Sequence, residues 1–192
     1  MTLDSPVIAT IPPDIARYVA GAPEEADQFD FLIGEWMVSG CRHDAGAVQQ
    51  RYQARWRAES LHGGRMVLDD FTVVSLTGQE LSSFVTLRTY APATSRWEIA
   101  GLAALQPGID GRWNGQVVGA EIHLAAEIRS TDGRILHNRI RFHGIEKDRF
   151  FWESHHSHDD RATWELAASL IANRVSPATQ QSRLAGSRKG SP

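Results

Sequence analysis

The chain has a single cysteine in 192 residues, Cys41, so it can close no disulfide within itself and build no cysteine-rich metal site. Such a free cysteine ordinarily behaves as a small buried hydrophobe. Lysine is scarce as well: of 20 basic residues, only Lys147 and Lys189 are not arginine. No apolar run approaches the ~20 residues that cross a bilayer as a helix. The opening stretch MTLDSPVIATIPPD has neither a cationic segment nor a long apolar one, so no secretory signal is expected and the expected location is cytoplasmic. A formal net charge of -3 leaves no positive excess with which to hold nucleic acid. Also missing are a G-x-S-x-G elbow, a phosphate-cradling glycine loop, an H-E-x-x-H pair and a dinucleotide fingerprint.

What is present is a core-forming composition, 42% hydrophobic, with scattered glycines and prolines that suit a fold of many turns. Two short helices are expected near the start. One is PPDIARYVAG, with proline and an acid in its first turn. The other is EEADQFDFLIG, with Phe29, Leu32 and Ile33 at helical spacing and Gly34 as its stop.

From Glu35 the period becomes two. In AVQQRYQARWRAES, Val48, Tyr52, Ala54, Trp56 and Ala58 share a face, and the residues between them are polar. Eight more strand-like segments follow, the last being ATWELAASLIANR, and turn signals such as Thr77-Gly78 and Asp132-Gly133 separate them. Ten short strands joined by tight turns predict a mainly β, antiparallel up-and-down barrel, because closing the meander leaves no open edge. A two-layer sandwich would need longer crossovers.

Four short motifs stand in order. F-L-I-G-E-W (31–36) precedes the first strand, R-I-R-F (139–142) and F-F-W (150–152) lie in later ones, and S-H-D-D-R-A-T-W (157–164) follows. The first resembles the G-x-W signature of lipocalins. The set resembles an uncharacterised lipocalin-like (calycin) family that opens with F-L-x-G-E-W and closes with S-x-D-G-G-x-T-W. The resemblance runs from about Phe29 to Arg174. The strand pattern ends at Arg174, so a barrel domain is expected over 12–174, after a flexible N-terminus (1–11) and before a polar, Gly/Ser/Pro-rich stretch expected to be a disordered tail (175–192). The resemblance implies that Arg174 packs across the Trp36 indole as a structural closure. Asp160 and Arg161 replace two turn glycines of the family, and a residue with a Cβ disfavours the positive φ such turns use.

Candidate chemistry gathers in the ninth strand and the turn after it: Glu153, His155, His156, His158, Asp159 and Asp160. His156 and His158 lie two apart and so share a face, but a zinc-type site wants three or four ligands, and no metal is expected. In ILHNRIRFHG, His137, Arg139, Arg141 and His143 form a basic face, expected outward because buried unpaired charge is costly.

The leading expectation is a pocket for a small hydrophobic or aromatic ligand, lined by Tyr52, Trp56, Trp152 and Ser154 with His156 as its polar end. Ala54 and Ala58 would leave space beside the rings. An alternative is an isomerase- or cyclase-type enzyme in the same pocket, with His156, His155, Glu153 or His143 as the acid–base group. Another is a haem-binding barrel, which needs an axial histidine near the last strands. No cofactor is assigned, neither nucleic acid nor membrane is an expected partner, and a homodimer is left open.

Overall fold

In a computed structural model, which describes residues 12–44, 47–129 and 133–175, the side chains of 106–110 excepted, ten strands close into one antiparallel barrel. The expected flexible N-terminus and all of the expected tail beyond residue 175 lie outside the described residues. The elements are α1 (Pro13–Val19), a 3-10 helix (Glu24–Leu32), β1 (Gly34–Asp44), β2 (Ala47–Leu61), β3 (Met66–Val74), β4 (Glu80–Ala91), β5 (Arg96–Ala103), β6 (Gln106–Val118), β7 (Glu121–Arg129), β8 (Ile135–His143), β9 (Arg149–Ser157) and β10 (Glu165–Arg174). Each strand pairs with its neighbour in sequence, and β1 pairs with β10 to close the wall. No helix among the described residues is long and apolar enough to cross a membrane.

The alternation of β2 sets the phase of the wall. Ala54, Trp56 and Ala58 are buried inside, while Arg51, Gln53, Arg55, Arg57 and Glu59 face solvent. Register carries that phase around the barrel: Trp36 faces Trp56, Trp56 faces Phe71, and Phe71 faces Phe84. The basic residues of β8 point outward, where acids meet them. Arg141 donates to Glu153 at 3.0 Å, and the Arg139 guanidinium lies 4.4 Å from the centre of the Trp164 ring.

The second helical segment differs from the expectation in kind. It is a 3-10 helix, and its period of three puts Ala26, Phe29 and Leu32 in one buried row across the lower end of the barrel. Ile33 falls outside that row and leaves in extended conformation. Phe29 meets Trp97 edge-on at 4.7 Å and Phe142 at 5.7 Å, and Gln28 accepts a hydrogen bond from Trp97 Nε1 at 2.9 Å. Trp36, Trp56 and Phe150 complete this lower core.

The turn after β9 keeps its left-handed backbone without glycine, with φ of 56° at Asp160 and 72° at Arg161. Hydrogen bonds offset the strain. Asp159 accepts from the backbone N–H and hydroxyl of Thr163 and from the Ser157 hydroxyl, and Ser157 Oγ in turn accepts from Arg161 N–H at 2.8 Å. These donors, Thr163 foremost, hold the Asp159 carboxyl down to about 2.

Candidate functional site

The barrel has a packed half and an open half. At the end closed by the 3-10 helix, the inward residues Val38, Trp97, Phe142, Phe150 and Ala172 are all buried. Further along the same strands, toward the hairpins after β3, β5, β7 and β9, the inward residues Tyr52, Phe71, Val73, Phe84, Trp113, Ile140 and Trp152 are only half-buried. Side chains that face inward yet still meet solvent line a lumen.

Glycines hold these rings against the wall. A Cβ at Gly40 would fall 2.2 Å from Tyr52 Cζ, and one at Gly101 would fall 2.4 Å from Phe84 Cζ and 2.9 Å from Trp113 Cζ3. The rings therefore occupy the space where neighbouring side chains would stand, an arrangement that leaves the barrel axis clear.

The floor is polar and buried. Asp69 accepts hydrogen bonds from Trp56 Nε1 at 2.8 Å and from the Thr86 hydroxyl, and forms an ion pair with Arg88. Burial pulls the Arg88 guanidinium down to about 9, so at neutral pH Asp69 still meets a cation. On the opposite wall Trp113 Nε1 donates to Asn138 Oδ1, and Asn138 Nδ2 donates to Ser154 Oγ, each at 2.7 Å. His156 pairs across from Asn138 toward the open rim.

The sequence-derived candidates separate by face. Tyr52, Trp152, Ser154 and His156 point into the open half. Trp56 also points inward but is 5% exposed and tied to Asp69, so it belongs to the floor. Glu153, His155 and His143 point outward: Glu153 takes the Arg141 ion pair, and His143 stacks on Phe151 at 5.4 Å. Of the four acid–base candidates, His156 alone faces the lumen, because the alternation of β9 sends the other phase to the exterior. His156 and His158 rings stand 6.4 Å apart, and among the described residues no group of three His, Cys, Asp or Glu side chains converges. Arg174 covers Trp36 at the closed end, its Cζ 4.0 Å from the ring centre.

Asp69, Thr86, Arg88 and Asn138 were not anticipated from sequence. The available signal was a charge in the inward phase between apolar residues, Asp69 between Val67 and Phe71, and its opposite, Arg88, four residues after Phe84 and two before Tyr90.

Burial pulls the His156 imidazole below its ordinary value, and the charges of His158 and His155 lower it further. Its neutral form is thus favoured in the fold. Its contribution to stability is fully present above the unfolded value of about 6.5 and declines as pH falls through the lower folded value. An NMR titration of the ring should give a midpoint below that of free histidine; a midpoint at or above it would place His156 in water.

A depression of about 520 Å³ on the outer surface runs along β1 to β3 between Met37, Arg55, Arg57 and Asp70. It is crossed by the exposed Arg55–Glu80 ion pair, and Glu35, Arg57 and Asp70 add further charge to its wall.

No family model and no curated protein matches the chain. Solved structures do share its fold. It is similar to Rv2717c from M. tuberculosis, at 14% identity over 81% of this chain and 99% of that one, with a TM-score of 0.58. It is similar also to the S-type phycobiliprotein lyase CPES from Guillardia theta, at 12% identity over 82% and 96% of the two chains, with a TM-score of 0.50. At such identities the likeness establishes the barrel architecture.

Proposed function

We propose that the chain is a lipocalin-like binding protein that holds a small, neutral, aromatic or hydrophobic molecule in the open half of the barrel. One observation carries the reading: Tyr52, Phe71, Phe84, Trp113 and Trp152 face inward and remain half-exposed, while the positions below them are sealed. An aromatic lumen above a packed floor has the walls that small-molecule sites use. Neutrality of the ligand follows from charge. The floor pair Asp69–Arg88 cancels itself, and burial favours neutral His156, so the buried part of the lumen offers no net charge, while Arg42 and Glu165 stand in the inward phase only at the rim. Ser154 and His156 would read a hydroxyl or carbonyl at the outer end of the ligand.

Fluorescence titration with 2-naphthol tests this, with 2-naphthoate as the charged counterpart. The neutral probe should bind with quenching of the lumen tryptophans, at least tenfold tighter than the acid. Ala168→Trp, which inserts an indole at a half-buried inward position opposite Ser154, should abolish binding without lowering the melting temperature. Equal titration curves for this variant and the wild type would move the site out of the lumen.

A second reading, proton transfer on a bound ligand by His156, is favoured by the pull toward the neutral, proton-accepting imidazole. Mass spectrometry of a ligand recovered after incubation separates holding from conversion. The haem alternative would rest on the same His156 and requires a coloured protein.

A further inference from the structure

Asn138 and Ser154 are polar side chains in the lumen wall, 4% and 6% exposed, and groups so buried need hydrogen-bond partners. The direction of their hydrogen bonds is fixed from both ends of the amide. An indole N–H can only donate, so Trp113 Nε1 obliges Asn138 to present its Oδ1. The amide nitrogen then faces the other way. It donates to Ser154 Oγ at 2.7 Å and to the His155 carbonyl at 3.2 Å. A carbonyl can only accept, so the His155 carbonyl locks the nitrogen end of the amide just as the indole locks the oxygen end.

Ser154 therefore accepts from Asn138, and the proton of its own hydroxyl is left over. The register shows what stands beside it: Ile140 on β8 and Ala168 on β10, neither with a polar side chain. Along β9 its inward neighbour toward the floor is Trp152, whose indole can only donate. Among the described residues, Asn138 is the one hydrogen-bond partner of the Ser154 hydroxyl. A buried donor without an acceptor is costly, and a ligand that brings the acceptor into the lumen removes that cost.

We infer, on the binding role proposed above, that the lumen selects an aromatic carbonyl compound, such as an aryl ketone or aldehyde, whose oxygen takes the Ser154 proton. Ser154 determines the specificity, and Trp113 and Asn138 are positioning residues that turn its hydroxyl into a donor. Each hydrogen bond in such a chain polarises the next, which strengthens the last donor. An alcohol in the same place would also accept from Ser154, but it carries a proton of its own, for which Ile140, Ala168 and Trp152 offer no acceptor. A carbonyl carries none.

Equilibrium dialysis of the full chain against 2-acetylnaphthalene and 2-isopropenylnaphthalene tests the inference. The two probes have nearly the same shape, with C=O in one and C=CH2 in the other. Both should bind the wild type, and Ala168→Trp should exclude both. Ser154→Ala should weaken the ketone about tenfold and leave the alkene within about twofold of wild type, since only the ketone loses a hydrogen bond. Asn138 Nδ2 keeps the His155 carbonyl in this variant, so its near-ultraviolet circular dichroism spectrum should match wild type. Equal changes for the two probes, or none, would overturn the carbonyl preference and leave the binding reading standing. If neither probe binds the wild type, the binding reading falls, and the preference with it. The infrared carbonyl stretch of the ketone bound to wild type needs no variant. It should lie below the stretch in cyclohexane, and an equal frequency would show that no donor reaches the oxygen and would overturn the inference.

Discussion

Asp69→Leu should lower the unfolding free energy by about 3–5 kcal/mol, and adding Arg88→Met to it should recover a large part of the loss. Asp69 is 2% exposed and accepts from Trp56, Thr86 and Arg88, all within the barrel. Removing the carboxylate strands a guanidinium that is itself 4% exposed and whose Nε has no hydrogen-bond partner among the described residues. Replacing both charges with apolar side chains of similar volume removes the desolvation penalty along with the attraction. Recovery should stop short of wild type by about 1–3 kcal/mol, since Trp56 Nε1 and the Thr86 hydroxyl would still lack their acceptor. Urea unfolding of the two single variants and the double variant measures the cycle. A cost below about 1 kcal/mol for Asp69→Leu alone would mean that Arg88 does not depend on the carboxylate.

How far the sequence foretold this arrangement depended on contrast between the two faces of each strand. In β2 and β8 polar and apolar residues alternate so sharply that strand, phase and wet face could all be read. In β3 and β4 apolar and polar residues are mixed on both faces, and periodicity alone could not say that Phe71 and Phe84 face the lumen while Leu68 and Leu87 face out. The segment with Phe29 and Leu32 was readable as a helical turn, but spacings of three and of three-to-four differ too little over nine residues to distinguish a 3-10 helix from an α-helix. The floor was hidden because Asp69 and Arg88 come together only through the pairing of β3 with β4. Taken singly, each reads as a solvated charge. The turn at Asp160 and Arg161 held its shape for a reason no local rule supplies: Arg161 reaches Glu127 and His137 on other strands, and Asp159 ties both ends of the turn together.

Trp36→Ala should be among the most damaging single substitutions in the chain, at about 3–5 kcal/mol, and its effect should be coupled to that of Arg174. The F-L-I-G-E-W segment is where the 3-10 helix hands over to β1. Trp36 is 1% exposed, donates from Nε1 to the Leu32 carbonyl at 2.8 Å and meets Phe150 edge-on at 4.8 Å. Arg174, from the last turn of chain in β10, spreads across that indole. It donates to the carbonyls of Phe31, Ile33 and Lys147 at 2.7–2.8 Å, which bind both the helix end and the β8–β9 hairpin to the closing strand. Gly34 makes room for it: its φ is +121°, and a Cβ there would fall 2.6 Å from Arg174 Nη1. Three carbonyl acceptors, one each for Nε, Nη1 and Nη2, suit a guanidinium fork and not an ammonium, so Arg174→Lys should lose stability even though the charge is kept. In a double-mutant cycle of Trp36→Ala and Arg174→Ala, the coupling should be about 1–2 kcal/mol, the range for a cation over an indole in a partly desolvated site. Strict additivity of the two losses in urea unfolding would mean that the arginine serves the carbonyls alone and that the indole is held by its other neighbours.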